Sequence, residues 1–203
     1  MRIYSPLFIA LRVIGYSLLM LAMAEVIRFD ALYPMEEGFF GEISFTEILQ
    51  EILLFFLVVF YFLLGKRNKS VQPVANLVAL FFLISLIREF NFLFSGWVYP
   101  ALGVLALAGW LAVRDYKKLN PATRIFFEQP ASAWLFSGIL ATYVFSRLFG
   151  RSKFWLLLYS EENYRLAKAA VEEGTELLGY SLILIGAVEF FIAWGTPKKE
   201  RKK

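Results

Sequence analysis

Residues 48–64 read ILQEILLFFLVVFYFLL, a segment that is polar at its start and apolar from Ile52 to Leu64. A helix of about 20 apolar residues crosses the roughly 30 Å hydrocarbon core of a bilayer. Similar runs recur along the chain, and 59% of all residues are hydrophobic, whereas soluble domains have about 45–50%. The sequence therefore predicts an integral membrane protein.

Hydropathy predicts six membrane-spanning helices in the 203 residues. They cover residues 7–27, 48–64, 74–94, 97–113, 131–149 and 177–194. Residues 7–27 also have the pattern of a signal peptide, but their length suits a full span and we interpret them as a retained helix. The predicted fold is all-α, a polytopic six-transmembrane-helix bundle in which residues 1–203 form a single integral membrane domain.

Charged residues in the connections predict the orientation of the bundle. The basic connections and tail contain Lys66, Arg67, Lys69, Arg114, Lys117, Lys118, Arg124 and the run at residues 196–203. The positive-inside rule makes their side cytoplasmic. The opposite connections contain Asp30, Glu36, Glu37, Glu42, Glu161 and Glu162. Both termini are therefore expected in the cytoplasm, and a bacterial inner membrane is the default location.

A short amphipathic helix is expected between spans five and six, at about residues 161–171, either as a separate helix or running on into span six with a bend near Gly174. Ser160 is a good N-cap, and Glu161 and Glu162 follow in the first turn, where the helix dipole favours negative charge. Glu161 and Arg165 are four residues apart and can pair on the helix surface. We expect this helix to lie at the membrane interface.

Polar and charged residues gather near the outer end of four predicted spans. They are Glu47, Gln50, Glu51, Arg88, Glu89, Asn91, Arg147, Glu172, Glu173, Glu176 and Tyr180. Glu47, Gln50 and Glu51 share one helix face, because residues three and four apart lie on the same side. Ionisable groups are costly in hydrocarbon, so this predicted polar cluster is a candidate ligand-binding site.

Two interpretations of the cluster remain open at this point. The side chains could form ion pairs that only fix the register of the helices, as buried polar groups do in some proteins. They could instead bind a ligand, which the excess of acids over arginines favours. Arg88 and Glu89 lie well inside the predicted span, so they are expected to have partners, with the acids of spans two and six as candidates.

The chain has no cysteine and no histidine, which excludes several kinds of chemistry. Disulfides, thiolate catalysis, iron–sulfur clusters, His/Cys zinc sites and Ser-His-Asp catalysis all require these residues. Haem and retinal are disfavoured, because no His and no Lys lie within a span. We predict no cofactor, and Mg²⁺ or Mn²⁺ are the only candidates, with Glu47, Glu51, Glu173 and Glu176 as weak ligands.

Three functions compete on this basis, and no characterised family is recognised in the motifs. The first is a site for a polar or cationic group, such as a lipid headgroup, an amine or a cation, in a carrier-type protein. The second is a membrane enzyme that uses carboxylates and a divalent metal on a lipid-linked substrate. The third is an accessory subunit of a larger membrane complex. Membrane lipids are the expected partners, and a homo-oligomer or a larger membrane partner is left open. The basic residues behind the net charge of +4 lie in loops and the tail, so no nucleic-acid binding is predicted.

Overall fold

A computed structural model describes residues 5–35, 40, 43–92, 95–160 and 164–195, and the regular elements in these ranges are helices. They are α1 (Pro6–Leu32), α2 (Phe45–Arg67), α3 (Gln72–Glu89), a 3₁₀ turn (Phe90–Phe92), α4 (Val98–Arg114), α5 (Tyr116–Phe127), α6 (Ala131–Ile139), a π-helical segment (Leu140–Phe145), α7 (Ser146–Phe149), α8 (Ser152–Trp155) and α9 (Tyr164–Gly195). The predicted all-α class is confirmed.

Within these ranges, five helices are long and apolar enough to cross a membrane. They are Pro6–Leu32, Phe45–Arg67, Gln72–Phe92, Ala131–Phe149 and Tyr164–Trp194. A sixth span is obtained if α4 and α5 are counted as one broken span, bent by 97°. The chain is therefore a multi-pass membrane protein, and the six-helix bundle stays a prediction, because α4 alone has only 17 residues.

The structure adds detail to two of the connections. The basic connection after residue 113 contains a further helix, α5, which buries Ala122 and Phe126 on one face. Because α5 contains several charged residues, its hydropathy is low and hydropathy alone does not reveal the helix. The segment predicted as a short helix at 161–171 lies partly outside the described residues, and its residues 164–171 form the first turns of the continuous α9. A separate interfacial helix stays a prediction.

The chain divides into two compact units. Unit 1 comprises residues 1–50 and 137–182, and unit 2 comprises residues 51–136 and 183–203. The division falls within α2, α6 and α9, so each of these helices contributes residues to both units.

An aromatic core holds unit 2 together. Tyr61 of α2, Phe82 of α3, Phe126 of α5 and Phe190 of α9 are all fully buried. The ring of Tyr61 lies 5.7 Å from that of Phe82, and the rings of Phe126 and Phe190 are 4.6 Å apart. Buried aromatic pairs stabilise a fold beyond the effect of their area alone. These rings fix α5 against the helices that span the membrane.

In unit 1, Asp30 joins α1 to the start of α2. Sequence analysis placed Asp30 in an acidic outer connection, but α1 extends to Leu32 and the Asp30 side chain is buried, with 2% exposed. Its carboxylate accepts hydrogen bonds from the backbone N–H groups of Phe45 (2.9 Å) and Thr46 (2.7 Å), and from the Thr46 hydroxyl. Asp30 thus provides partners for two N–H groups that a helix start leaves unsatisfied, and the expectation of a solvated loop residue was wrong.

Asp30→Asn should lower the thermal stability of the detergent-purified protein. One acceptor oxygen becomes an NH₂ group that faces N–H donors, and an unsatisfied buried donor costs about 1–3 kcal/mol. The same variant should speed amide hydrogen exchange at Phe45 and Thr46. Glu25→Gln is the matched control, because Glu25 lies on the same helix and pairs with Arg28 in an exposed ion pair. Equal stability of the two variants would contradict the capping role.

Candidate functional site

An ion pair between buried Glu176 and partly exposed Arg147 links α9 to α7 in unit 1. The Glu176 side chain is buried, with 5% of the residue exposed. Its Oε1 accepts hydrogen bonds from the Ser146 hydroxyl at 3.1 Å and from Arg147 Nη2 at 2.5 Å. A buried carboxylate is tolerated when a charge and further donors compensate it. The Glu176 carboxylate therefore has both a counter-charge and a further hydrogen-bond donor.

The π-helical segment Leu140–Phe145 places the residues that face α9. The Thr142 hydroxyl donates to the backbone carbonyl of Glu176 at 3.3 Å. The hydroxyls of Tyr143 and Tyr180 lie 3.4 Å apart. π-helical turns are uncommon and are frequent at functional sites. Here the wider turn directs three polar side chains, those of Thr142, Tyr143 and Ser146, toward one stretch of α9.

Glycines allow this close approach. A Cβ atom on Gly179 would lie 2.8 Å from the carbonyl oxygen of Gly138 and 2.9 Å from the backbone nitrogen of Thr142, besides colliding with the Thr142 hydroxyl. Real Cβ atoms do not approach backbone that closely, so only glycine fits at residue 179. Gly150 similarly leaves room for the Glu172 carboxylate.

Glu173 lies in a different environment from Glu176, one turn away on α9. The Gln50 amide, which is buried, donates from Nε2 to Glu173 Oε2 at 3.1 Å and is 3.4 Å from the Glu173 carbonyl oxygen. The Glu47 side chain is the other close neighbour of the Glu173 carboxyl group.

The bases near these acids are already engaged. Arg147 pairs with Glu176, and Lys168 pairs with Glu172 at 3.4 Å. Within the described ranges, no basic side chain forms an ion pair with Glu173. Glu173 is therefore a largely enclosed carboxyl group whose neighbours are an amide and another carboxyl group.

Seven of the predicted site residues belong to unit 1, and we call them the unit 1 cluster. They are Glu47, Gln50, Arg147, Glu172, Glu173, Glu176 and Tyr180. Hydrogen bonds and ion pairs connect Gln50 and Glu47 to Glu173, Arg147 to Glu176 and Lys168 to Glu172.

The other four predicted residues belong to unit 2. Arg88 Nη2 lies 2.8 Å from Glu89 Oε1, so this arginine pairs with its neighbour in sequence. Glu51 is close enough to Glu89 for their negative charges to repel each other. Asn91 lies in the 3₁₀ turn after α3 and is exposed. The pairing of Arg88 with acids of spans two and six stays a prediction.

Sequence reasoning missed several residues that shape the unit 1 cluster. Lys168 was unassigned, although its position four residues before Glu172 on a helix is a detectable signal. The contact of Gly179 with Gly138 had no such signal, because a single sequence does not reveal which glycines meet across two helices.

Metal coordination finds no support in the described part of the chain. No three His, Cys, Asp or Glu side chains there are placed to hold a metal ion. Of the four weak metal candidates, Glu176 is paired with Arg147, and Glu51 belongs to the other unit.

Comparison with known proteins gives no match, since no family model, curated protein or solved structure is significantly similar to this chain. The functional argument therefore rests on the chemistry of the site.

Gly179→Ala should destabilise the protein, because the added methyl group meets backbone atoms that cannot move without separating α9 from the π-helical segment. Overpacking of this kind costs about 1–3 kcal/mol. Gly103→Ala is the control, because a Cβ at Gly103 on α4 meets nothing within 4 Å. Thermal unfolding in detergent should show a lower midpoint for Gly179→Ala and no loss for Gly103→Ala. A Gly179→Ala protein as stable as wild type would refute the close contact.

Proposed function

We propose that this multi-pass membrane protein binds a positively charged group, an amine or an inorganic cation, at Glu173 in the unit 1 cluster. The observation that carries the proposal is the contrast between neighbouring acids. Glu172 and Glu176 have a lysine and an arginine as partners, whereas Glu173 has Gln50 and Glu47. A cation that binds there would supply the missing positive charge.

Exchange of a proton for the cation accounts for the chemistry of such a site. In this proposal, Glu47 and Glu173 share a proton when no cation is bound, which limits the repulsion between the two carboxyl groups. When the cation binds, that proton leaves and both carboxylates face the ligand. The Gln50 side chain offers its carbonyl oxygen as a further neutral ligand, provided that the amide turns away from Glu173.

Arg147 extends this chemistry to zwitterionic ligands. Its side chain is 42% exposed although one nitrogen is bound to Glu176. The remaining guanidinium donors suit a phosphate or carboxylate group. A lipid headgroup that carries both an amine and a phosphate therefore fits the chemical character of the cluster, as does a free amine.

The proposed location is the outer half of a bacterial inner membrane, with both termini in the cytoplasm. The basic connections and tail support this orientation through the positive-inside rule. A carrier role extends the proposal further. Because the sequence has no pair of Gly/Pro-broken helices in matching halves, transport would require an oligomer.

A role as an accessory subunit is the second candidate, and α1 is the observation that favours it. The most apolar part of α1 has none of its residues buried, although the helix is long enough to span the membrane. A larger membrane partner that covers this helix would co-purify with the full chain in mild detergent. The metal-dependent enzyme has no comparable support in the described residues.

Glu173→Gln should abolish binding of small cations to the purified protein. Wild type is expected to gain thermal stability with at least one of ethanolamine, choline, Na⁺, K⁺ or Mg²⁺, because a ligand that binds only the folded state stabilises it. The variant keeps the size and hydrogen bonds of a protonated Glu173 and should lose at least about tenfold in affinity, equivalent to about 1.4 kcal/mol.

Glu128→Gln serves as the control for that experiment, since Glu128 is an exposed acid that pairs with Arg124 on α5. It should respond to the cations as wild type does. The proposal fails if no cation shifts wild type, or if Glu173→Gln retains the full shift.

Cysteine labelling should confirm the orientation, because the chain contains no cysteine of its own. Ser70 and Ser160 are both exposed and lie in connections expected on opposite sides. A membrane-impermeant maleimide should label Ser160→Cys in intact cells and Ser70→Cys only after the membrane is opened. The reverse pattern would invert the proposed topology, and labelling of both from outside would overturn the predicted span count.

A further inference from the structure

Unit 2 contains a cavity of about 440 Å³ where α2 and α9 end. It opens to the surface and is lined by Leu64, Arg67, Asn68, Phe190, Phe191 and Trp194. Pockets that hold small molecules are typically about 300–1,000 Å³. We call this space the basic-end cavity. None of its residues belongs to the unit 1 cluster.

The cavity has an apolar wall that is already rigid. Phe190 is fully buried, and its ring stacks on Trp194 with centroids 4.9 Å apart and an interplanar angle of 17°. The Phe190 ring also packs on Phe126 at 4.6 Å. Because these contacts hold the aromatic side chains in place without a ligand, binding costs little side-chain conformational entropy here.

The opposite side of the cavity is polar and positive. Arg67 is the last residue of α2, and Asn68 follows it. In the described part of the chain no carboxylate forms an ion pair with Arg67. Lys66 and Lys69 are exposed on either side in sequence, and the chain continues beyond α9 into the basic run 196–203.

The cavity therefore joins an aromatic wall to a guanidinium that has no ion pair among the described residues. Phe191 extends this wall outward, since 57% of the residue is exposed on a helix that is apolar enough to span a membrane. An amphiphile with an anionic head and an apolar chain matches both sides. A free inorganic anion would use only the guanidinium and would leave the aromatic wall without a role.

We propose that the basic-end cavity binds an anionic phospholipid. The phosphate is held by the fork of Arg67 N–H donors and by the Asn68 amide, and an acyl chain lies along Leu64, Phe191 and Trp194. Arginine binds phosphate through paired hydrogen bonds. Basic pockets between membrane helices on the cytoplasmic side are known to hold anionic headgroups, and the expected orientation puts this end on that side.

Native mass spectrometry of the full-length protein tests the proposal with two probes that differ only in headgroup charge, phosphatidylglycerol and phosphatidylcholine with identical acyl chains. Wild type should retain one phosphatidylglycerol in preference to phosphatidylcholine. Arg67→Gln should lower that retention at least about fivefold, and Trp194→Ala should lower it as well, because the acyl chain loses part of its wall.

Lys69→Gln is the matched control, since it removes the same charge two residues away and Lys69 does not line the cavity. It should retain the lipid as wild type does. Equal losses in Arg67→Gln and Lys69→Gln would mean that general surface charge holds the lipid, and the proposed site would be refuted.

Two further measurements separate the remaining outcomes. Inorganic phosphate at millimolar concentration should not displace the lipid, and full displacement would identify a free-anion site and overturn the lipid assignment. Thermal unfolding of each variant checks its fold. If Arg67→Gln unfolds, Arg67→Lys replaces it, because this variant keeps the charge and loses the paired geometry. It should show intermediate retention, and unchanged retention would contradict the role of the guanidinium.

Discussion

The absence of a side chain at residue 179 is the constraint on which the unit 1 cluster depends. Because Gly179 has no Cβ, α9 approaches the backbone of Gly138 and Thr142 closely. That approach lets Thr142 reach the Glu176 carbonyl and brings Ser146 and Arg147 onto the Glu176 carboxylate. In hydrocarbon, where helices gain nothing from burying apolar surface against each other, such contacts between small residues are a main source of association.

Unit 1 contains three enclosed acids in three different situations. Asp30 is satisfied by the backbone at the start of α2, and Glu176 by an arginine and a serine. Both acids have hydrogen-bond donors that account for them as parts of the fold. Glu173 is surrounded by an amide and a second carboxyl group instead. This arrangement provides no positive charge to balance Glu173. Glu173 is therefore a candidate binding residue, whereas Asp30 and Glu176 have structural roles.

Features that depend on long apolar runs were predicted correctly from the sequence. Features that depend on tertiary contacts, or that lie in charged segments, were not predicted. The all-helical class and the membrane spans followed from hydropathy, whereas α5 was hidden by its lysines. Asp30 looked like a loop residue, because nothing in a single sequence links it to the amide groups of Phe45 and Thr46. The polar residues were recognised as a set, but their pairing was not. Arg88 pairs with Glu89, and Arg147 pairs with Glu176. Which acid an arginine reaches depends on how its helix is rotated about the helix axis. The π-helical segment changes this rotation, and the hydrophobic periodicity of the sequence does not show by how much.

That segment also links the register of one helix to a single ion pair. A π turn holds about one residue more than an α turn, so relaxation of Leu140–Phe145 to α-helical geometry would rotate all later residues by roughly 100°. Arg147 would then point away from Glu176 and leave a buried anion without its counter-charge. The winding of this one segment and the pairing of Glu176 are therefore coupled, since the position of Arg147 opposite Glu176 depends on the number of residues in the preceding turns.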